Sequence, residues 1–415
     1  MSYRYIIAFS TIIGILIILD VYTWYGIKKT LGEKYLRFAK WFIPSTTFLF
    51  IFGFAINLLR GEYGIHNAHY LINLITGFAF GVFIAKLLII TPFFIEDITR
   101  LTIWVFRKIN RGRKSEVKIP GRRKFVRNIA FSLAAIPISG AIYAITRGKY
   151  NFQIKKIPLD FPNLPDSFKR LKIVQFSDFH AGSFDDQEAV KEGLHLIMDQ
   201  KPDLILFTGD LVNNRAVEAE PYLQMLADLS APLGKFAILG NHDYGEYMSF
   251  ESAEAKNENM NRLESNFERS GFNLLRNQHV VLTKNNESVN LVGVENWGKA
   301  PFPQYGDLDK ATAGMKSDKF TILMSHDPDH WEYEARFHPQ NFDLTLSGHT
   351  HGAQFGVEIP GWQWSPVKYR YKRWLGLYSE GRQRLFVSKG FGFLGFPGRL
   401  GMSPEIIVFE LDNEI

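Results

Sequence analysis

The chain has 415 residues, 46% of them hydrophobic and 15% aromatic, and no cysteine. That excludes a disulfide scaffold, a cysteine-ligated zinc or iron–sulfur centre and a thiol nucleophile. A net charge of +6 would suit a nucleic-acid binder, but residues 1–150 carry 21 Lys/Arg against 6 Asp/Glu, and the remainder 27 against 36. The acidic rear part offers no groove for a phosphate backbone, and no nucleic-acid partner is expected.

Four apolar runs open the chain, roughly Tyr5–Trp24, Trp41–Leu59, Tyr70–Ile95 and Ile129–Thr146. Each is close to the ~20 residues that a helix needs to cross a bilayer, and the third is long enough to tilt. Stretches such as residues 12–19 are apolar all round, unlike a helix that buries one face. Four transmembrane helices are therefore expected, with the lipid bilayer as partner.

The loops set the expected orientation. Lys28, Lys29, Lys34, Arg37 and Lys40 follow the first run. Arg100, Arg107, Lys108, Arg111, Arg113, Lys114, Lys118, Arg122, Arg123, Lys124 and Arg127 lie between the third and the fourth. Only Arg4 and Arg60 lie on the other side. The positive-inside rule puts both rich loops in the cytoplasm and the rear part outside. Arg147 and Lys149 argue weakly the other way. Arg122–Arg127 also has the look of a twin-arginine export signal, but three preceding spans favour reading it as a basic helix flank. Two ionisable residues, Asp20 and Lys86, fall inside the runs, where charge is costly and often functional. Snorkelling to the interface would explain them equally well.

Residues 149–170 contain Pro158, Pro162 and Pro165, the marks of a linker with an edge strand. From Leu171 to the C-terminus short apolar runs alternate with helical stretches, which predicts an α/β domain of two packed sheets flanked by helices. The strands are expected at residues 171–176, 203–207, 235–239, 319–324 and 343–346. Further strands are expected within 280–295 and 383–411. Helices are expected near 185–200, 218–229 and 251–270.

Polar residues gather at the C-terminal ends of those strands, where open α/β sheets bind ligands. In order they are Asp178 and His180, Asp210, Asn241-His242-Asp243, His326, and His349 with His351. Carboxylate, amide and imidazole together suit divalent ions such as Mn, Zn, Fe or Mg. Any one of them alone would pass for a cap or a turn residue. Five strand ends in succession would not. If these segments are extended, Asp178 with His180, and His349 with His351, point the same way.

D-x-H, G-D, G-N-H-D, H and G-H-x-H in this order resembles the calcineurin-like metallophosphoesterase superfamily, over about Leu171 to Leu411. The similarity is greatest to the bacterial membrane-linked branch that includes UDP-2,3-diacylglucosamine hydrolase and its relatives. That branch tends to show G-H-T-H-G-G-Q, where this chain has Ala353 for the second of the two consecutive glycines. The apolar runs and prolines give a four-helix transmembrane domain (1–148) and the linker (149–170), and the resemblance implies an αββα metallophosphoesterase sandwich (171–415). It also implies a two-metal site: Asp178, His180 and His351 on one ion, Asn241, His326 and His349 on the other, Asp210 bridging. His242 would protonate the leaving oxygen and Asp243 would orient it. Paired ions stabilise in-line displacement at phosphorus and activate a hydroxide.

Residues 354–400 interleave aromatics (Trp362, Trp364, Tyr369, Tyr371, Trp374, Tyr378, Phe391, Phe393, Phe396) with Lys368, Arg370, Lys372, Arg373, Arg382, Arg384, Lys389 and Arg399. They read as a rim presenting a lipid phosphoester to the metals, or as hairpins whose aromatics pack the domain. The expected activity is hydrolysis of a phosphoester or pyrophosphate bond, of a lipid or lipid-linked substrate. UDP-linked substrates are cytoplasmic, which conflicts with the expected orientation. Two alternatives remain: a tethered phosphodiesterase for soluble substrates, and a non-catalytic receptor or transport module.

Overall fold

A computed structural model describes residues 3–28, 31–63, 69–109, 122–316 and 318–413. The chain divides into a unit of long helices and a second unit from Ile145 onward.

The first unit holds helices α1 (Tyr3–Lys28), α2 (Glu33–Tyr63), α3 (His69–Ile109) and α4 (Arg122–Thr146). Ile27, Ala39, Ile43, Phe93 and Ala130, from all four helices, form one buried cluster. Ile18, Phe48, Phe52, Ile95 and Ile136 stand exposed, as they would in a solvent no more polar than themselves. Among the described residues two segments are long and apolar enough to cross a bilayer, Leu74–Phe106 and Phe125–Thr146. Arg111, Arg113, Lys114 and Lys118 of the basic loop, and Lys29, lie outside the described residues.

Lys86 and Asp20 do not snorkel apart. The Lys86 ammonium donates to Asp20 Oδ1 (2.8 Å), Thr47 Oγ1 (2.7 Å) and the Ile43 carbonyl (2.7 Å), and Thr47 donates to Asp20 in turn. Three acceptors meet the three protons that an ammonium carries.

The second unit begins with β1 (Gln153–Asp160), β2 (Leu171–Phe176), β3 (Leu204–Phe207), β4 (Lys235–Ala237) and β5 (Asn273–Leu274). It continues with β6 (Gln278–Lys284), β7 (Glu287–Gly293), β8 (Thr321–Met324) and β9 (Leu344–Ser347). A short hairpin, β10 (Val357–Ile359) and β11 (Trp362–Trp364), precedes β12 (Gly376–Glu380), β13 (Gln383–Val387) and β14 (Glu405–Asp412). One six-stranded sheet runs β1-β14-β2-β3-β4-β5 and the other β12-β13-β9-β8-β7-β6. Pro158, which cannot donate to a ladder, sits in β1 at the sheet edge.

β2 to β5 are mutually parallel, as are β7, β8, β9 and β13. Such strands are covered on both faces, which is why they read as continuous apolar runs. In β3, Leu204 and Leu206 enter the layer between the sheets, while Ile205 and Phe207 face outward. In β8, Ile322 and Met324 enter the same layer, and Leu323 turns away. The outer face of the first sheet is covered by α5 (Gln187–Asp199), α6 (Leu223–Ala227) and α7 (Ala253–Arg269). That of the second is covered by α8 (Leu308–Thr312) and α9 (Pro328–Tyr333), with Trp331 fully buried.

The sequence misses β12 and the β10–β11 hairpin and overextends one helix. Residues 216–222 form a 3₁₀ segment containing Pro221, and the α-helix starts only at Leu223; proline lacks the amide that would carry the helix through. Lys149 is no loop charge. It is buried within the second unit, donating to both Asp185 oxygens at 2.7 Å.

Candidate metal centre

The parallel strands deliver their C-terminal ends to one edge. There the loops after β2 and β3, and those after β8 and β9, bind each other through their main chains, and the loop after β4 is tied to the β3 loop through the Asp210 and Asp243 side chains. Asp178 N donates to Gly209 O, His180 N to Asp210 O, and Gly348 N to His326 O, at 2.9, 3.1 and 2.9 Å.

All seven expected ligands are brought together. Donor atoms of Asp178, His180 and His351 lie within 4.8 Å of one another, as do those of Asp178, Asp210 and His326. Asp210 Oδ2 stands 3.2 Å from His326 Nε2 and 3.5 Å from His180 Nε2. His349 Nδ1 is 2.7 Å from Asn241 Oδ1.

The backbone that achieves this is not extended. Asp178, His180, Asp210, His349 and His351 all adopt left-handed conformations, with φ of 53°, 50°, 60°, 73° and 52°. For L-residues this costs roughly 1–2 kcal/mol each, and such strain collects at functional sites. The pairs Asp178/His180 and His349/His351 therefore converge because each donor sits on its own sharp turn, not by strand alternation. The motif glycines let the loops close. A Cβ on Gly348 would meet Ser177 Oγ at 2.0 Å and Asp178 Oδ2 at 2.3 Å. Gly209 holds φ +98° against the Gly240 amide.

His326 tests whether the donors fit a cation. Its Nδ1 is 2.7 Å from the Thr208 carbonyl, so Nδ1 keeps its proton and Nε2 is left for a second proton or a cation. That Nε2 is fully buried and has no hydrogen-bond partner. An orphaned buried imidazole nitrogen facing a carboxylate is what a divalent ion would satisfy. Burial drives His180 down to about 3 and holds His349 and His351 well below the usual imidazole value, so all three are neutral, the form that ligates. Burial, with Asp210 close by, pushes Asp178 up to about 6. Asp210, 3.2 Å from His326 Nε2, draws positive charge to that nitrogen: it raises His326 to about 10, and a cation would take the place of the proton so held.

His242 has its backbone N–H on Asp210 Oδ1 (2.8 Å) and its Nδ1 2.8 Å from the Asn213 carbonyl. The expectation that Asp243 orients this ring is corrected. The Asp243 carboxylate instead accepts from the amides of Asp210, Leu211, Val212 and Gly240 at 2.9–3.3 Å, and so shapes the Asp210 loop. The ring is held by Asn213, which sequence reasoning missed. Asn213 also places its Oδ1 3.1 Å from His180 Nδ1. The only sequence signal for it was its position three residues past Asp210.

A cleft of about 240 Å³ opens over these groups, lined by Asp210, Asn241, His242, Phe302, His349, Thr350 and Tyr371. The Tyr371 hydroxyl lies 2.6 Å from His349 Nε2. Of the expected aromatic and basic rim, Tyr371 reaches the site, and so does Arg399, whose Nη2 lies 3.3 Å from His351 Nδ1. Much of the basic charge is spent internally: Lys372 and Arg373 on Glu332, Lys389 on Glu358 and Glu405. Arg399 is buried among the carbonyls of Gly392, Lys389 and Met402.

Residues 3–149 match the family model described as probable calcineurin-like phosphoesterase, transmembrane domain, and residues 171–353 match calcineurin-like phosphoesterase. The chain is 30% identical over 305 residues to the uncharacterized metallophosphoesterase YkuE of Bacillus subtilis, covering 72% of this chain and 99% of that one. It is 27% identical to the phosphodiesterase YaeI of Escherichia coli, over 70% and 98% of the two chains. It is 30% identical to the UDP-2,3-diacylglucosamine pyrophosphatase LpxG of Chlamydia trachomatis, over 48% and 69%.

Proposed function

Since the chain belongs to the calcineurin-like phosphoesterase family, as a metal-dependent phosphoric ester hydrolase with a transmembrane domain, we propose that it is a two-metal enzyme cleaving a phosphoester or pyrophosphate bond of a lipid or lipid-linked substrate. One observation carries the two-metal reading: six buried donors and the partly buried His349 converge on one strand edge, where His326 Nε2, without a hydrogen bond among the described residues, faces the Asp210 carboxylate. Asp178, His180 and His351 would hold one ion, Asn241, His326 and His349 the other, and Asp210 both. When bound, such ions (Mn, Zn, Fe or Mg) supply Lewis acidity to the phosphoryl oxygens and lower the pKa of a water.

The chain's own residues do the rest. Asn213 fixes the His242 ring through Nδ1, which leaves Nε2 to face the leaving oxygen and, from the imidazolium form, to donate to it. Asp243 holds the Asp210 loop in its left-handed turn. Phe302 and Tyr371 wall the cleft and exclude water beside His349.

The lipid part of the reading draws on the aromatic segment that borders the cleft through Tyr371 and on the pyrophosphatase named among the relatives. The basic side chains consumed by internal ion pairs favour a second reading, hydrolysis of soluble phosphodiesters by a tethered domain. We take residues 1–148 as four spans, 149–170 as linker and 171–415 as catalytic domain. Sixteen basic residues in two loops support a catalytic domain outside the cytoplasm.

Purified full-length protein, assayed with each metal against soluble phosphodiesters, phosphomonoesters and lipid pyrophosphates, tests all of this. Chelator-sensitive turnover, fastest on the lipid substrates, is expected. Equal rates on soluble and lipid substrates would remove the lipid reading, and chelator-insensitive turnover the metal one.

A further inference from the structure

Six residues past His351 the chain enters the β10–β11 hairpin. Its register sets Val357 opposite Trp364, Glu358 opposite Gln363 and Ile359 opposite Trp362. Strand alternation then gathers Val357, Ile359, Trp362 and Trp364 on one face and Glu358 and Gln363 on the other. The polar face is engaged: Glu358 accepts from Lys389 at 2.6 Å and from Lys155 at 3.4 Å. The apolar face is uncovered. Ile359 is 54% and Trp362 53% exposed, and Phe355, edge-on to Trp364, extends the same face. A two-stranded ribbon has no core of its own to justify such exposure.

Three observations identify what covers it. Trp and Tyr are the residues that settle at a bilayer interface, and Tyr369, 77% exposed, stands beside Trp364. The exposed Lys368 supplies positive charge for anionic head groups. The hairpin is also fastened through Glu358 to Lys155 of β1, nine residues after α4 ends at Thr146. Nine residues reach at most ~30 Å, so its root is tied to the segment that leaves the last membrane helix.

We propose that the β10–β11 hairpin dips into the interface of the bilayer that holds α1–α4, with Phe355, Ile359 and Trp362 among the acyl carbons and Lys368 at the head groups. This rests on the reading of the N-terminal helices as spans. It would hold the chain that leads out of the His349/His351 loop at the lipid surface.

The absence of cysteine makes the test clean. Full-length Ile359→Cys and Gln363→Cys proteins, each carrying an environment-sensitive fluorophore, are reconstituted into phosphatidylcholine–phosphatidylglycerol vesicles. At position 359 the expected result is blue-shifted emission, quenched by doxyl-labelled lipid and protected from iodide. At position 363, on the opposite face, the expected result is quenching by iodide. Iodide quenching at both positions overturns the proposal. So does protection of position 359 from both quenchers, which would mean that a second copy or another protein surface covers the face. Loss of both proteins from the vesicles in an alkaline wash would instead overturn the span reading beneath it.

Discussion

His180 and His351, 171 residues apart in the chain, present their Nε2 atoms to each other at 3.0 Å. Asp178 Oδ1 stands 3.3 Å from the second of them. Two imidazole nitrogens this close share a proton, or they turn both lone pairs onto a cation. Mn or Zn should therefore raise the melting temperature of the solubilised protein, and a chelator should lower it. At a hundredfold excess over Kd the gain is about 2.7 kcal/mol. His351→Ala should lose one of the two bound ions by elemental analysis; unchanged metal content would remove His351 from the site.

Asn213 holds two rings at once. Asn213→Ala deletes the partner of His180 Nδ1 but keeps the backbone carbonyl that binds His242. Removing such an outer partner of a ligand typically costs 10–100-fold in metal affinity. The expected outcome is weaker metal binding by titration calorimetry, with turnover at saturating metal much less affected.

His242 is assigned to the leaving oxygen, so its loss should depend on the leaving group. His242→Ala should slow hydrolysis of an alkyl phosphodiester by about 10²–10⁴-fold. A nitrophenyl ester, whose phenolate departs unaided, should change little. Equal losses on both substrates would argue that the ring binds rather than donates.

Ala353 holds a left-handed turn just after the His349/His351 ligand pair. It sits exposed with φ +51°. Left-handed backbone costs an L-residue roughly 1–2 kcal/mol. Ala353→Gly should raise stability by about 1 kcal/mol in denaturant titration, and leave metal content unchanged.

Inside the helical unit, Lys86→Met would strand the largely buried Asp20 carboxylate with Thr47 as its remaining side-chain partner among the described residues. Breaking a buried pair from one side costs about 3–5 kcal/mol. Thermal unfolding in detergent should show a large loss for Lys86→Met. Pairing that change with Asp20→Asn should recover most of it. A pair of independent surface charges would show neither the loss nor the recovery.

The sequence by itself determined the two-part organisation, the apolar strands and the residue types that bind metal. Apolar length, period-two alternation and polar residues at strand ends are local properties, legible wherever they occur. It placed β2 at Leu171–Phe176 and marked Asp178, His180, Asp210, Asn241, His326, His349 and His351 as one set. Only the tertiary structure decided how those donors are aimed, because that depends on which loops meet. The left-handed turns at five of them, the transfer of the ring-holding task from Asp243 to Asn213, and the approach of Tyr371 to His349 arise between segments far apart in the chain. The same holds for the basic rim. Lys372 and Arg373 read as free charges until folding brought Glu332 to them, since the partner of a charge is set by packing and not by its neighbours in sequence.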